Sequence, residues 1–200
     1  MFTLVPEEML TMEMCVEYMG GHKRSGSTLA IKDIPKKFKT PEFYLKAAQT
    51  GTQISFVPDS FKTEELCLEA LKAEYLNYEH IPKKMFTKEF TEKAMRLNPL
   101  LPRELCVVKD WKLFEFMPED LMTVQVCGEI AWGTNGKVLG LIPEKIKTPK
   151  FYSFVAKNVK KLSHPKMPDE FWVDAIKKDG SLLEFVPKRQ LESVTKKLGQ

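Results

Sequence analysis

With 200 residues, 43% of them hydrophobic and 29% charged, the chain can bury a core of one or two domains and is too apolar to be wholly disordered. Lys and Arg exceed Asp and Glu by only 31 to 27, so the net charge of +4 gives no argument for nucleic acid by itself. No run approaches the roughly 20 apolar residues of a membrane span, Met1 to Leu10 has neither the basic nor the apolar stretch of a signal peptide, and Cys15, Cys67, Cys106 and Cys127 form no CxxC pair, so a soluble, unexported chain in a reducing cytoplasm is expected.

In chain order, the first predicted element is announced by Val5-Pro6 and by Thr11, five residues after the proline. The same phrase returns at Ile34-Pro35 with Thr40, Val57-Pro58 with Thr63, Ile81-Pro82 with Thr87, Met117-Pro118 with Thr123 and Ile142-Pro143 with Thr148. A threonine hydroxyl can accept a hydrogen bond from an orphan N–H of a first helical turn, so each threonine predicts a helix N-cap. Pro41 and Pro149 then occupy the first helical position, where a missing N–H costs nothing. Glu13, Glu42, Glu65 and Glu89 fall in the first turn, near the positive end of the helix dipole.

Three, four, seven and eight residues past each cap lie Met14, Cys15, Tyr18 and Met19; Phe43, Tyr44, Ala47 and Ala48; Leu66, Cys67, Ala70 and Leu71; Phe90, Thr91, Ala94 and Met95; Val126, Cys127, Ile130 and Ala131; and Phe151, Tyr152, Val155 and Ala156. That spacing is one apolar helical face. Two shorter units begin at Pro102 and Pro168 without the threonine; Phe171, Trp172, Ala175 and Ile176 restore the face in the second, whereas Lys109 and Asp110 break it in the first. Between helices, short apolar phrases run into the next proline, as in Ile54-Ser-Phe-Val57, Tyr78-Glu-His-Ile81, Phe114-Glu-Phe-Met117, Leu139-Gly-Leu-Ile142 and Leu183-Glu-Phe-Val186. They predict second, shorter helices behind the first.

A larger symmetry overlies the small one, because Pro6 to Tyr44 and Pro118 to Tyr152 share Pro-Glu, Thr, Cys, Ile-Pro, Lys-Thr-Pro and Phe-Tyr in the same order at an offset of about 110 residues. The expected fold is all-α: an α-solenoid, or superhelix, of tandem helical repeats of about 20–29 residues in one domain over residues 1–200. The duplicated block divides it at about 1–101 and 102–200. Partial units at the two ends are expected to act as caps, with a fraying tail from Lys196 to Gln200.

The phrase Val57-Pro-Asp-Ser-Phe-Lys-Thr-Glu-Glu-Leu-Cys-Leu-Glu-Ala70 resembles the repeat of a bacterial and viral domain of unknown function, in which hydrophobic-Pro, Lys-Thr, Glu-Leu-Cys and Ala-Val recur in tandem. The resemblance covers nearly the whole chain and is tightest around Thr40, Thr63 and Thr148. It implies stacked helices and carries no activity, cofactor or site residue.

The remaining chemistry is sparse. All four cysteines share one repeat position that other units fill with Tyr44, Thr91, Tyr152 and Trp172, which marks packing rather than nucleophile or zinc chemistry. His22, His80 and His164 stand in unrelated contexts with no paired nucleophile. Gly21-His-Lys-Arg-Ser-Gly26-Ser-Thr28 looks superficially like a phosphate-binding loop but lacks the lysine after its second glycine and follows a helix rather than a strand, so it and the shorter Gly133 to Lys137 are expected to be inter-helix turns. Trp111, Trp132 and Phe116 are expected to fill space where the repeat is irregular.

The one functional signal is cationic. Lys36, Lys37, Lys39, Lys62, Lys83, Lys84, Lys145 and Lys147 all lie between a repeat's proline and its cap, where stacking would align them along one edge, with Lys157, Lys160, Lys161, Lys177 and Lys178 adding charge farther on. The functional expectation is a non-catalytic scaffold that binds another protein, with no catalytic residue, metal or cofactor. Polyanion binding along the lysine edge is the second reading, and an enzyme site assembled from several repeats the third.

Overall fold

The computed structural model describes residues 5–21, 26–161 and 167–199, and among them all regular structure is helical, with no strand. The chain divides into two compact units, Met1–Leu101 and Pro102–Gln200. The first holds α1 (Met12–Gly21), α2 (Gly26–Asp33), α3 (Pro41–Gln49), α4 (Glu64–Ala73) and α5 (Lys88–Leu97). The short α6 (Leu101–Glu104) lies at the division; α7 (Val124–Gly133), α8 (Pro149–Lys161), α9 (Asp169–Lys178) and α10 (Lys188–Leu198) follow in the second unit. No helix of the described residues is long and apolar enough to cross a membrane.

All six repeat threonines cap. Their hydroxyls accept from the N–H three residues on: Met14 (3.2 Å), Phe43 (3.3 Å), Leu66 (3.2 Å), Phe90 (3.3 Å), Val126 (3.2 Å) and Phe151 (3.4 Å). The four residues between proline and threonine are also alike in geometry. Each proline carbonyl accepts from the third residue on, as in Phe61 N–H to Pro58 O at 2.9 Å and Leu121 N–H to Pro118 O at 3.0 Å. In the five units after the first, the residue before the threonine then turns tightly, with φ −75°, ψ 60° at Lys39 and φ −76°, ψ 77° at Lys62, the dihedrals of an inverse γ-turn, whereas Leu10 is extended at φ −74°, ψ 134°. That turn is closed by threonine N–H groups, such as Thr40 to Phe38 O at 2.8 Å and Thr123 to Leu121 O at 2.9 Å.

The faces predicted from spacing are buried. In α3, α4, α5 and α8 all four positions are buried; in α1 Met14 is exposed and Tyr18 half-buried, and in α7 Val126 is half-buried. Helices that follow one another in each unit also pack together, α3 on α1, α4 on α3 and α5 on α4, then α8 on α7, α9 on α8 and α10 on α9. Behind them the apolar phrases form 3₁₀ turns: Ile54–Phe56, Tyr75–His80, Trp111–Phe116, Leu139–Leu141 and Gly180–Phe185. These segments are short because proline cannot extend them and forces the preceding residue into extended backbone, as at Val57 with φ −76°, ψ 124°.

A buried polar knot ties the first unit together. Asn77, 1% exposed, accepts from Ile54 N–H at 2.8 Å and donates to Ala70 O at 3.2 Å and Thr52 O at 3.4 Å. The Thr52 hydroxyl donates in turn to Met19 O at 3.2 Å at the end of α1.

In the second unit, Leu105–Lys109 is a single π turn that closes with Asp110 N–H on Leu105 O at 2.9 Å. The broken pattern after Pro102 is thus a helix that ends in a wide turn. Gly133 of α7 accommodates it, since a Cβ there would stand 2.7 Å from a Val107 methyl. The expected fraying is not seen through Gly199. Helix α10 runs to Leu198, and Lys197 reaches Glu170 at 2.7 Å and Asp169 at 3.5 Å.

Candidate functional site

The lysines between proline and cap fall into two groups. Lys62 and Lys147 occupy the γ-turn position, which other units fill with Lys39, Phe86 and Met122, and their side chains are only 8% and 15% exposed. Their stems pack while their ammonium groups turn back to Asp59 (2.9 Å) and Glu144 (2.8 Å). Lys37 meets Glu7 of the preceding connector at 3.7 Å, and Lys145 is paired with Glu119 of its own preceding connector, holding that carboxyl below the usual range through a hydrogen bond. Lys36, Lys39, Lys83 and Lys84 have no ion pair among the described residues; Lys39 is half-buried at the γ-turn position and the other three are exposed.

The four thiols are sealed, each 0% exposed and free. Burial pushes Cys67 and Cys127 up to about 11 and Cys106 up to about 12, so at neutral pH they are protonated and poor nucleophiles. Of the histidines, His22 and His164 lie outside the described residues and His80 is half-buried in a 3₁₀ turn. Among the described residues no group of three or more His, Cys, Asp or Glu is placed to hold a metal ion.

Lys23 and Arg24 of the phosphate-like loop also lie outside the described residues, and Gly26 opens α2 rather than closing a loop. The shorter counterpart is a helix C-cap. Asn135 takes the left-handed conformation (φ 54°), and the N–H groups of Gly136 and Asn135 are used by Ala131 O (2.7 Å) and Trp132 O (3.1 Å), which leaves them no freedom to cradle an anion. Trp111, Trp132 and Phe116 are half-buried in the second unit.

A groove between α7 and α8 is the feature that residue spacing did not single out. It encloses about 660 Å³ and is lined by Thr123, Val124 and Gln125 on one side and Lys150, Ser153, Phe154 and Lys157 on the other. Gly128 makes it possible, because a Cβ at that position would lie 2.5 Å from Phe154 Cδ1; the bare backbone lets the ring lie against α7. Lys157 appears among the cations noted from sequence, whereas Lys150 and Phe154 do not. A signal was present all the same: two residues past the cap every helix of the first unit with a threonine cap carries glutamate, and α8 carries Lys150.

Comparison with protein-family models, with curated proteins and with solved structures finds no match to the chain.

Proposed function

We propose that the chain is an α-solenoid of tandem helical repeats, doubled from a block of about 110 residues, and that it works as a non-catalytic scaffold binding another protein. The observation that carries this reading is the recurrence of one hydrogen-bonded connector, proline turn, γ-turn and threonine cap, ahead of successive helices that pack on their neighbours. Two further facts support the doubling. The Glu7 and Lys37 pair has its counterpart in Glu119 and Lys145, each joining the residue after one proline to the second residue after the next. The boundary between the compact units falls at residues 101 and 102, where the two blocks divide.

Polyanion binding is the second reading and rests on Lys36, Lys39, Lys83 and Lys84. Its cationic edge is weakened by the carboxylates bound to Lys37, Lys62, Lys145 and Lys147. An affinity capture from nuclease-treated lysate at two salt concentrations separates the readings. A protein partner retained at the higher salt is expected; recovery of nucleic acid or other polyanions alone, lost at the higher salt, would overturn the scaffold in favour of the edge.

A further inference from the structure

The outer faces of the helices, opposite the buried stripe, follow a register of their own. Two residues past the cap stand Glu13, Glu42, Glu65 and Glu89 in the first unit, then Gln125 in α7 and Lys150 in α8. Acidic side chains there suit the positive end of the helix dipole, and a lysine opposes it. Six residues past the cap stand Glu17, Lys46, Glu69, Lys93 and Glu129, all charged, and then Phe154. In α3, α4, α5 and α7 these charges are used within the fold. Lys46 bridges to Glu42 at 2.9 Å, Lys93 to Glu64 at 2.7 Å and Lys72 to Glu69 at 3.9 Å, and Gln125 donates to Glu129 at 3.0 Å.

Helix α8 departs from this pattern at both positions, with Lys150 and Phe154, and carries Lys157 one turn farther on, where α4 and α5 also carry a cation, Lys72 and Arg96. Lys150 and Lys157 are exposed with no ion pair among the described residues, and half-buried Phe154 lies between them in the groove. Asp179 lies within electrostatic reach of Lys157 but takes its hydrogen bonds from Ser181, and the two form no ion pair among the described residues. Glu129, the acid on α7, accepts from the Gln125 amide at 3.0 Å and forms no ion pair with either lysine. Seven helical residues separate the two lysines by roughly 10 Å along the axis, a span that carboxylates on either side of one apolar residue can bridge. A cation without an ion pair among the described residues thus stands on each side of an aromatic surface, one of them held against the helix dipole.

We propose that the α7–α8 groove docks an acidic segment of a partner protein, with an apolar side chain seated on Phe154 and carboxylates held by Lys150 and Lys157. This rests on the scaffold reading and specifies the chemistry of the partner. Charge complementarity selects the acid, and the aromatic floor selects a segment with an apolar anchor over a bare polyanion.

The test uses the full chain and a fluorescein-labelled peptide with one tryptophan flanked on both sides by glutamates, read by fluorescence anisotropy at moderate salt. Binding is expected to weaken at least tenfold in each of Lys150→Glu, Lys157→Glu and Phe154→Ala, and also when the peptide carries glutamine for glutamate or glycine for tryptophan. The variant Lys83→Glu with Lys84→Glu is expected to bind as the parent does. Circular dichroism guards against a Phe154→Ala that fails to fold, and Lys150→Glu, an exposed change, keeps the proposal testable in that event. Failure of the peptide to bind, binding indifferent to Lys150→Glu, or equal binding of a heparin fragment with Phe154 dispensable would each overturn the proposal. If a salt-resistant protein partner is captured from lysate and Lys150→Glu retains it, the groove is wrong and the scaffold stands; if the chain captures no protein at all, the scaffold reading itself falls.

Discussion

Thr63 shows what a single side chain contributes. Its hydroxyl satisfies Leu66 N–H, and its φ −72°, ψ 164° backbone is already in the extended form an N-cap requires. Thr63→Ala is expected to cost about 1 kcal/mol in a urea melt, as the loss of a capping hydroxyl typically does. Lys84→Ala, at an exposed lysine without an ion pair among the described residues, should change the midpoint little; an equal loss there would show that the cap carries no special weight. Lys62, although a lysine of the same connector, is unsuitable for that comparison because its packed side chain is bonded to Asp59. Asn77 should matter more. Its removal in Asn77→Ala strands Ile54 N–H and weakens the bonding of Ala70 O and Thr52 O inside the core, for an expected loss of about 3 kcal/mol. The capping threonines were legible because they recur at a fixed distance from proline and act on the next turn. Asn77 was not, because its partners lie 7, 23 and 25 residues away and no periodic pattern marks a residue that occurs once.

At the level of elements, the buried face of each helix could be read from spacing because a helix repeats its face every three to four residues and the caps set its origin. The type of the shorter segments could not. Their apolar residues fit either helix, and it is the proline at the end of each phrase that leaves room only for the tighter 3₁₀ form. The outer face was legible only as a departure from a rule: Lys150 stands two residues past its cap, where the other threonine-capped helices carry glutamate or glutamine. That departure yields a prediction with opposite signs for stability and binding. Lys150→Glu should raise the stability of the chain by roughly 0.3–1 kcal/mol by matching the dipole, while it weakens binding of the acidic peptide at least tenfold. A variant that lost both would mean that Lys150 supports α8 rather than a ligand. Gly128→Ala tests the same groove from the other helix. A methyl group 2.5 Å from Phe154 Cδ1 must displace the ring, so peptide affinity should fall although the change leaves both lysines in place.

For the molecule as a whole, the buried thiols have a consequence that no single helix shows. Cys67 lies in the first unit and Cys106 and Cys127 in the second, and burial raises all three thiols to about 11, 12 and 11, with Cys15 moved in the same direction. Tyr152 follows, raised to about 12 by burial first and by Asp174 and Glu144 after it. In the unfolded chain these thiols ionise near 8.5 and the phenol near 10. Between those values and the folded ones, the unfolded state has released protons that the folded state still holds. Stability is therefore fully present below about pH 8.5 and falls as pH rises toward 11 to 12. The urea midpoint should be level from pH 7 to 8 and decline steadily above pH 9. Lysines that lose their charge in the same range would contribute a slope of their own, through pairs such as Lys93 with Glu64. The thiol share is isolated by Cys106→Ala combined with Cys127→Ala. That variant starts less stable at pH 7 because it leaves space in the core, yet its midpoint should fall less steeply with pH than that of the parent. Parallel slopes would mean that the buried thiols are not the groups that resist ionisation, and the packing role of the cysteine position would then need another explanation.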